Sequence, residues 1–426
     1  MNAPLTTLRQ KTLGKRMPRH DAHLQVAGKI RYAEDMQFPG MLHAKFLRSP
    51  HAYAKILRID TSRAQAAPGV KAVITGHDIP FNLMGAFKQD QTVLATEVVR
   101  FIGDPVAAVA ATSLEAAEAA LKLIEVEYAP MKAIFDPIKA LEPDAPILHG
   151  DTNILGRWGL ECGDVDAALA SAHLVVEGTY RTQIVEQCPL ETQIAIADPN
   201  SDGTVAVYTP HSRPFAMRVD VARALKVDIS EVRVIGTPGG GAFGGKSDAC
   251  VEPACAILAL KTKLPVRVVF TREEEFFAST VRHPMTMIYR SGVDAQGRLV
   301  ARDVKMYLDT GAYAGLGEAT IRKATLLGAG PYKIPNVRIQ SLLIYTNNPV
   351  SSAMRGFGVP QACFAWETHT EELAEKIGMN SFDFRILNGY DDGDITPSGQ
   401  TIHSVGLKET MRKAKEAFDR QAGGKK

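Results

Sequence analysis

At 426 residues the chain exceeds the ~250–300 at which a single core usually splits, so two domains are expected. Its 45% apolar and 23% charged side chains are those of a globular protein, and 49 basic against 47 acidic groups leave a net charge of only +2. No basic block favours nucleic acid or an anionic membrane, and no run approaches the ~20 apolar residues of a membrane span. Met1–Arg19 carries five basic residues but no apolar stretch, so it is not expected to be a secretory signal. The five cysteines are scattered without a C-x-x-C pair, which points to reduced thiols in a cytoplasmic protein and against an iron–sulfur cluster held by this chain.

In chain order, Met41–Leu47 and Ile56–Ile59 are expected strands. Asp60 caps a helix over Ser62–Ala67, which Pro68-Gly69 stops before a strand at Val70–Thr75. Val106–Ala111 is a continuous apolar run of the kind found in buried strands. Ser113 and Glu115 open a helix to Leu123, and Ile124–Tyr128 returns as a strand. Ala129–Thr152, rich in Pro, Asp and Gly, places a domain boundary near Gly150. Beyond it a helix starts at Gly163–Asp166 and runs through Ala172. Strands are expected at Leu174–Glu177, Thr204–Tyr208, Val232–Ile235, Val266–Phe270, Val300–Leu308 and Ile339–Tyr345, and a helix at Ala254–Lys261 with Ala256, Ile257 and Leu260 on one face. The chain ends in an amphipathic helix, Leu407–Phe418, striped by Leu407, Met411, Ala414 and Phe418, and a basic tail. The expected division is 1–150, 151–395 and 396–426.

Two stretches carry chemistry. The first is Pro238–Ser247, with five glycines among the seven residues Gly239–Gly245, which bares backbone N–H groups for close approach to a ligand. Gly240–Ser247 matches the phosphate loop G-x-x-x-x-G-K-S letter for letter, between a strand and a helix. Gly239, Gly241 and Gly244 also match the weaker dinucleotide pattern G-x-G-x-x-G. A nucleotide hydrolase needs in addition an acidic, magnesium-holding strand, for which Val304–Asp309 is a weak candidate. The second stretch is Ser352–Gln361, whose Gly-Phe-Gly turn offers an aromatic face.

Pro238–Lys246 also resembles the glycine-rich segment of the molybdenum hydroxylases, the xanthine dehydrogenase and aldehyde oxidase family, and Arg355–Gln361 is similar to the family's R-G-F-G-x-P-Q segment. Tyr32–Asp35, Pro39–Ala44, Ser49–Ala52 and Val99–Ala107 look like its α/β-hammerhead domain. Arg282–Met285, Pro331–Arg338 and Thr346–Pro349 resemble linking segments, so the likeness covers roughly Gly28 to Asn388. It implies an α+β architecture, a hammerhead domain followed by the first molybdopterin-binding domain.

The same resemblance implies Mo-molybdopterin, in the cytosine dinucleotide form, contacted by Ser212, Gly241, Ala242, Phe243, Gly244, Arg355 and Gly356. Arg355 would act at the reacting centre, and Lys323 and Phe357 would meet the substrate. No protein side chain would ligate the metal, which is held by the cofactor's dithiolene. The activity implied is hydroxylation of an electron-poor carbon of an N-heteroaromatic or aldehyde, with water as oxygen source and a sulfido or selenido ligand on the metal. Electrons would leave through 2Fe-2S clusters to FAD on partner subunits, an iron–sulfur subunit and a FAD subunit. A second molybdopterin-domain subunit would supply the glutamate base, as in family members whose molybdenum protein is split, the nicotinate dehydrogenases among them; truncation of a longer product is the alternative.

Departures from the family bear on substrate. Ser212 stands where many members have a glutamine. Ser247 replaces the glutamate that follows the loop lysine in xanthine-hydroxylating members, and Lys323 replaces their arginine, keeping charge but not the planar fork. Gly356 stands where carbon monoxide dehydrogenases have cysteine. Xanthine and CO are therefore disfavoured, with a purine- or xanthine-type dehydrogenase of the same family kept as an alternative beside the phosphate-loop nucleotide hydrolase. A ring bearing a carboxylate could stack on Phe357 with its charge toward Lys323, and a partly desolvated pair of this kind predicts roughly 10²-fold in binding.

Overall fold

The computed structural model describes residues 14–423, so the first part of the basic N-terminal stretch and the last three residues of the tail lie outside it. Two large sheets organise the described chain. The first has seven strands in the order Val232–Gly236, Val205–Thr209, Ile194–Pro199, Val266–Val269, Leu42–Arg48, Pro105–Ala111, Val70–Thr75. Its two halves come from either side of Gly150 and join where Leu42–Ala44 pairs in parallel with Val266–Val268. Pro105–Ala111 is buried on both faces. Ala108 and Ala110 enter the large core shared by both halves, while Ala107 and Val109 face a smaller core under the helix Leu114–Leu121. Alanine on both sides lets neighbouring elements approach closely, which explains an apolar run without alternation.

The second sheet orders Ile154–Cys162, Asn336–Tyr345, Leu299–Gly311, Met285–Val293 and Leu174–Thr182. The helices Gly317–Leu327 and Val359–Lys376 pack on it, and their apolar faces share one core with Met287, Met306 and Leu343. A small third sheet holds Val98–Val99, Ala54–Asp60 and Glu125–Pro130. A two-stranded parallel pair, Val281–Arg282 with Ser351–Ser352, leads directly into the second motif.

Several expectations shift. The helix after the glycine-rich loop runs Glu252–Thr262 and is buried on nearly every side from Glu252 to Ala259, not along one face. The C-terminal helix extends over Leu407–Gly423; Phe418 meets Phe382 at 6.0 Å between ring centroids yet stays 60% exposed, so its stripe is only partly covered. The helices Pro214–Leu225, Gly317–Leu327 and Val359–Lys376 form where the sequence pattern predicts none. Among the described residues no helix is long and apolar enough to cross a membrane.

The second core contains histidines held neutral. His369 shares hydrogen bonds with the Tyr180 hydroxyl (2.9 Å at Nδ1) and Ser291 Oγ (3.0 Å at Nε2), and burial beside the Arg302 cation depresses its pKa to about 3. Burial depresses fully enclosed His283 to about 3 as well. Both are lowered from 6.5, so the unfolded chain binds more protons below that pH, and the stability they contribute is lost as pH falls from 6.5 toward 3. Asp104 and Asp309, raised to about 6 by burial, act in the opposite direction between 3.8 and 6. The comparison with His369→Gln is therefore the decisive one: its thermal midpoint should fall less steeply than the parent's from pH 6.5 down to about pH 5. An equally steep fall would contradict the assignment.

Candidate active site

The glycine-rich loop leaves the edge strand Val232–Gly236 and ends where Glu252 opens its helix. Gly241 (φ +110) and Gly244 (φ +111) take backbone conformations that side chains disfavour, and Phe243 between them is left-handed at φ +50. A Cβ on Gly244 would lie 2.3 Å from the carbonyl oxygen of Ala353, so this glycine is where the loop touches the second motif.

Beneath the loop lies a strut. Glu191 Oε2 accepts from the Gly240 N–H (2.9 Å) and from Lys246 Nζ (2.7 Å), and the Gly245 N–H donates to the Ala242 carbonyl (2.8 Å). Gln193 donates to the Gly245 carbonyl (2.9 Å). Between these anchored ends the amides of Gly241, Ala242, Phe243 and Gly244 donate to no acceptor among the described residues. Four consecutive N–H groups are thus left free to donate to a ligand. The Ser212 N–H donates to the Lys246 carbonyl (2.7 Å), which places Ser212 beside the loop with its side chain exposed.

This geometry does not suit a phosphate loop. Lys246 is 1% exposed and committed to Glu191, and Asp248–Val251 intervene before the helix opens. A phosphate-binding lysine must instead reach a ligand from the first turn of the helix.

The second motif leaves Ser351–Ser352 and turns through Gly356 (φ +103), Phe357 (φ +49) and Gly358 (φ +81) into the helix Val359–Lys376. The Arg355 N–H donates to the Phe243 carbonyl (2.8 Å), a direct bond between the two motifs. Gln187 Nε2 donates to the Ala353 carbonyl (2.8 Å) while its own carbonyl sits against Gly245, tying the same junction from below. The Arg355 guanidinium is exposed and forms no ion pair among the described residues. Lys323, on the helix Gly317–Leu327, holds its Nζ 4.8 Å from the Phe357 ring centroid, a cation–π pair. Every site residue expected from the sequence thus lies on one of two joined loops or directly against them.

Sequence reading missed Gln187, Glu191 and Gln193, which hold the loops from below. The signal available was Glu186, Gln187, Glu191 and Gln193 clustered just ahead of the apolar strand Ile194–Pro199. Arg282 lies in a family-like segment whose sequence alone implies no role for it. Among the described residues no group of three or more His, Cys, Asp or Glu is arranged to hold a metal. The run of unpaired amides offers donors to a ligand that carries anionic oxygens.

A family model for the molybdopterin cofactor-binding domain matches residues 148–389, and one for the aldehyde oxidase and xanthine dehydrogenase a/b hammerhead domain matches residues 27–132. The chain is 42% identical over 408 residues to the nicotinate dehydrogenase large molybdopterin subunit of Eubacterium barkeri, covering 95% of this chain and 96% of that one. It is 40% identical to a probable xanthine dehydrogenase subunit of Bacillus subtilis, covering 89% of this chain and 51% of the relative. The aldehyde oxidoreductase of Desulfovibrio gigas superposes with a TM-score of 0.91 at 29% identity, over 96% of this chain and 46% of that structure. The chain therefore spans nearly all of the first relative and about half of the other two. With both domain matches and the joined-loop geometry in agreement, the chain belongs to the xanthine dehydrogenase and aldehyde oxidase family of molybdopterin enzymes, as a hammerhead domain followed by a molybdopterin-binding domain.

Proposed function

We propose that this chain is the large molybdopterin subunit of a multi-subunit molybdenum hydroxylase acting on an N-heteroaromatic carboxylate of the nicotinate type. The observation that carries the reading is the run of unpaired amides from Gly241 to Gly244, bonded through the Phe243 carbonyl to the Arg355 loop. When bound, Mo-molybdopterin supplies the oxygen transfer and the two-electron acceptor that no side chain here provides. The Ala242 and Phe243 amides, unpaired here, would donate to its anionic oxygens, as preorganised donors do in an oxyanion hole. Arg355 and Gly356 would contact the pterin, and the Ser212 hydroxyl would give a further donor. We assign the cofactor the cytosine dinucleotide form. A second molybdopterin-domain subunit contributes the glutamate base, and an iron–sulfur subunit and a FAD subunit carry the electrons away. Likeness to the nicotinate dehydrogenase subunit along nearly its whole length supports this organisation.

Phe357 and Lys323 support this choice of substrate. Phe357 stacks on a planar ring, and Lys323, which has no ion pair among the described residues, attracts its carboxylate. Lys323 is exposed, however, and solvent-screened pairs contribute about 1 kcal/mol or less. The ~10²-fold effect expected from sequence is accordingly reduced to roughly fivefold. In the assembled enzyme, Lys323→Met should raise KM for nicotinate about fivefold and leave KM for nicotinamide, the neutral ring of similar size, nearly unchanged. Equal effects on both would remove Lys323 from substrate selection.

A further inference from the structure

We infer that Arg282 is a positioning residue for the reacting site, bracing the turn that presents Phe357 and fixing the Arg355 peptide. The inference rests on the site reading above. The main chain of Arg282 is held on two sides: it pairs with Ser352, and its N–H donates to the Val185 carbonyl (2.8 Å). From that fixed base the guanidinium reaches three acceptors. Nε donates to Met354 Sδ (3.1 Å), Nη1 to Gln361 Oε1 (3.1 Å) and Nη2 to the Arg355 carbonyl (3.1 Å).

These acceptors bracket Phe357, with Met354 and Arg355 before it and Gln361 in the first turn of the helix that follows. Gln361 in turn donates to the His283 carbonyl (3.1 Å), closing the ring of bonds back onto the neighbour of Arg282. The main chain of Arg355 is therefore gripped on both sides of its Cα, its N–H by the Phe243 carbonyl and its C=O by Arg282.

The turn needs such a brace. Gly356, Phe357 and Gly358 all have positive φ, and a non-glycine residue at φ +49 persists only where its surroundings over-determine it. All three acceptors of the fork are neutral, and Arg282 forms no ion pair among the described residues. Its shape rather than its charge matches what it holds. A lysine would keep the charge but satisfy one acceptor at a time.

Arg282→Lys separates the two in the full chain and in the assembled enzyme. In the full chain, amide exchange read by mass spectrometry over residues 353–359 should accelerate about tenfold, while the strand Leu299–Gly311 exchanges at the parent rate. In the assembled enzyme kcat should fall about 10²-fold, as expected for a displaced reacting group, with KM for nicotinate within about threefold of the parent. Unchanged loop exchange overturns the brace and leaves the site reading standing. Faster loop exchange with kcat unchanged overturns the positioning role and the site reading together. Faster exchange throughout both sheets, or a chain that no longer folds, makes Arg282 an ordinary structural arginine and also overturns the proposal.

Discussion

Gly244→Val should lower cofactor loading at least about tenfold while leaving the cores of both large sheets folded. At φ +111 the backbone of Gly244 lies in a region that a β-branched residue does not adopt without strain. An added Cβ would also lie 2.3 Å from the Ala353 carbonyl oxygen, 2.7 Å from its carbon and 2.9 Å from Met354 Cα. All three are backbone atoms and cannot swing aside as a side-chain tip would. The two loops must part, and the Arg355-to-Phe243 bond that joins them is lost. Strain of this kind amounts to about 1–3 kcal/mol before the clash is counted. That is enough to dissolve a local junction but not a core that buries most of two sheets. Molybdenum and pterin assays on the purified enzyme should read at least about tenfold below the parent, with circular dichroism unchanged. Parent-level molybdenum would mean that the junction does not form the cofactor site.

Glu191→Leu should produce the largest loss of stability among single changes at the site. Lys246 and Glu191 have side chains only 2% and 9% exposed, and their bond is 2.7 Å long. Removing the carboxylate leaves a buried ammonium without a partner, a change that costs about 3–5 kcal/mol, and also frees the Gly240 N–H. The double variant Glu191→Leu/Lys246→Met removes both charges and should recover a large part of that loss, because an apolar pair of similar volume replaces an ion pair at little net cost. Chemical denaturation of the three variants measures both numbers. A single-variant loss below about 1 kcal/mol, or a double variant no better than Glu191→Leu, would show that the strut does not hold the loop.

Legibility followed the range of the interactions. Glycine at 241, 244, 356 and 358 is required by local backbone conformation, so both motifs could be read as special from composition alone. Strands such as Val70–Thr75 and Val232–Gly236 were legible because their apolar runs sit between turn residues. The helix that carries Lys323 was not, because Gly317–Leu327 includes two threonines and a glycine that weaken any local helical signal. Tertiary packing against the sheet decides it instead. The pairing of Leu42–Ala44 with Val266–Val268 depends on contacts across more than half of the chain, which no local pattern encodes. The same holds for the supports. Glu191 reaches Lys246, Gln187 reaches Ala353 and Arg282 reaches Gln361 across distances in sequence that periodicity does not span. The phosphate-loop match failed for a related reason. Its letters agree, but the lysine's partner is set by a residue outside the motif.

Elemental analysis tests the central claim most directly. The enzyme, purified from cells that co-express the partner subunits proposed for it, should contain about one molybdenum per copy of this chain and release a fluorescent pterin on oxidation. Molybdenum at background, together with ATP hydrolysis by the chain that is lost in Lys246→Met, would contradict the account and return the glycine-rich loop to the phosphate-binding reading.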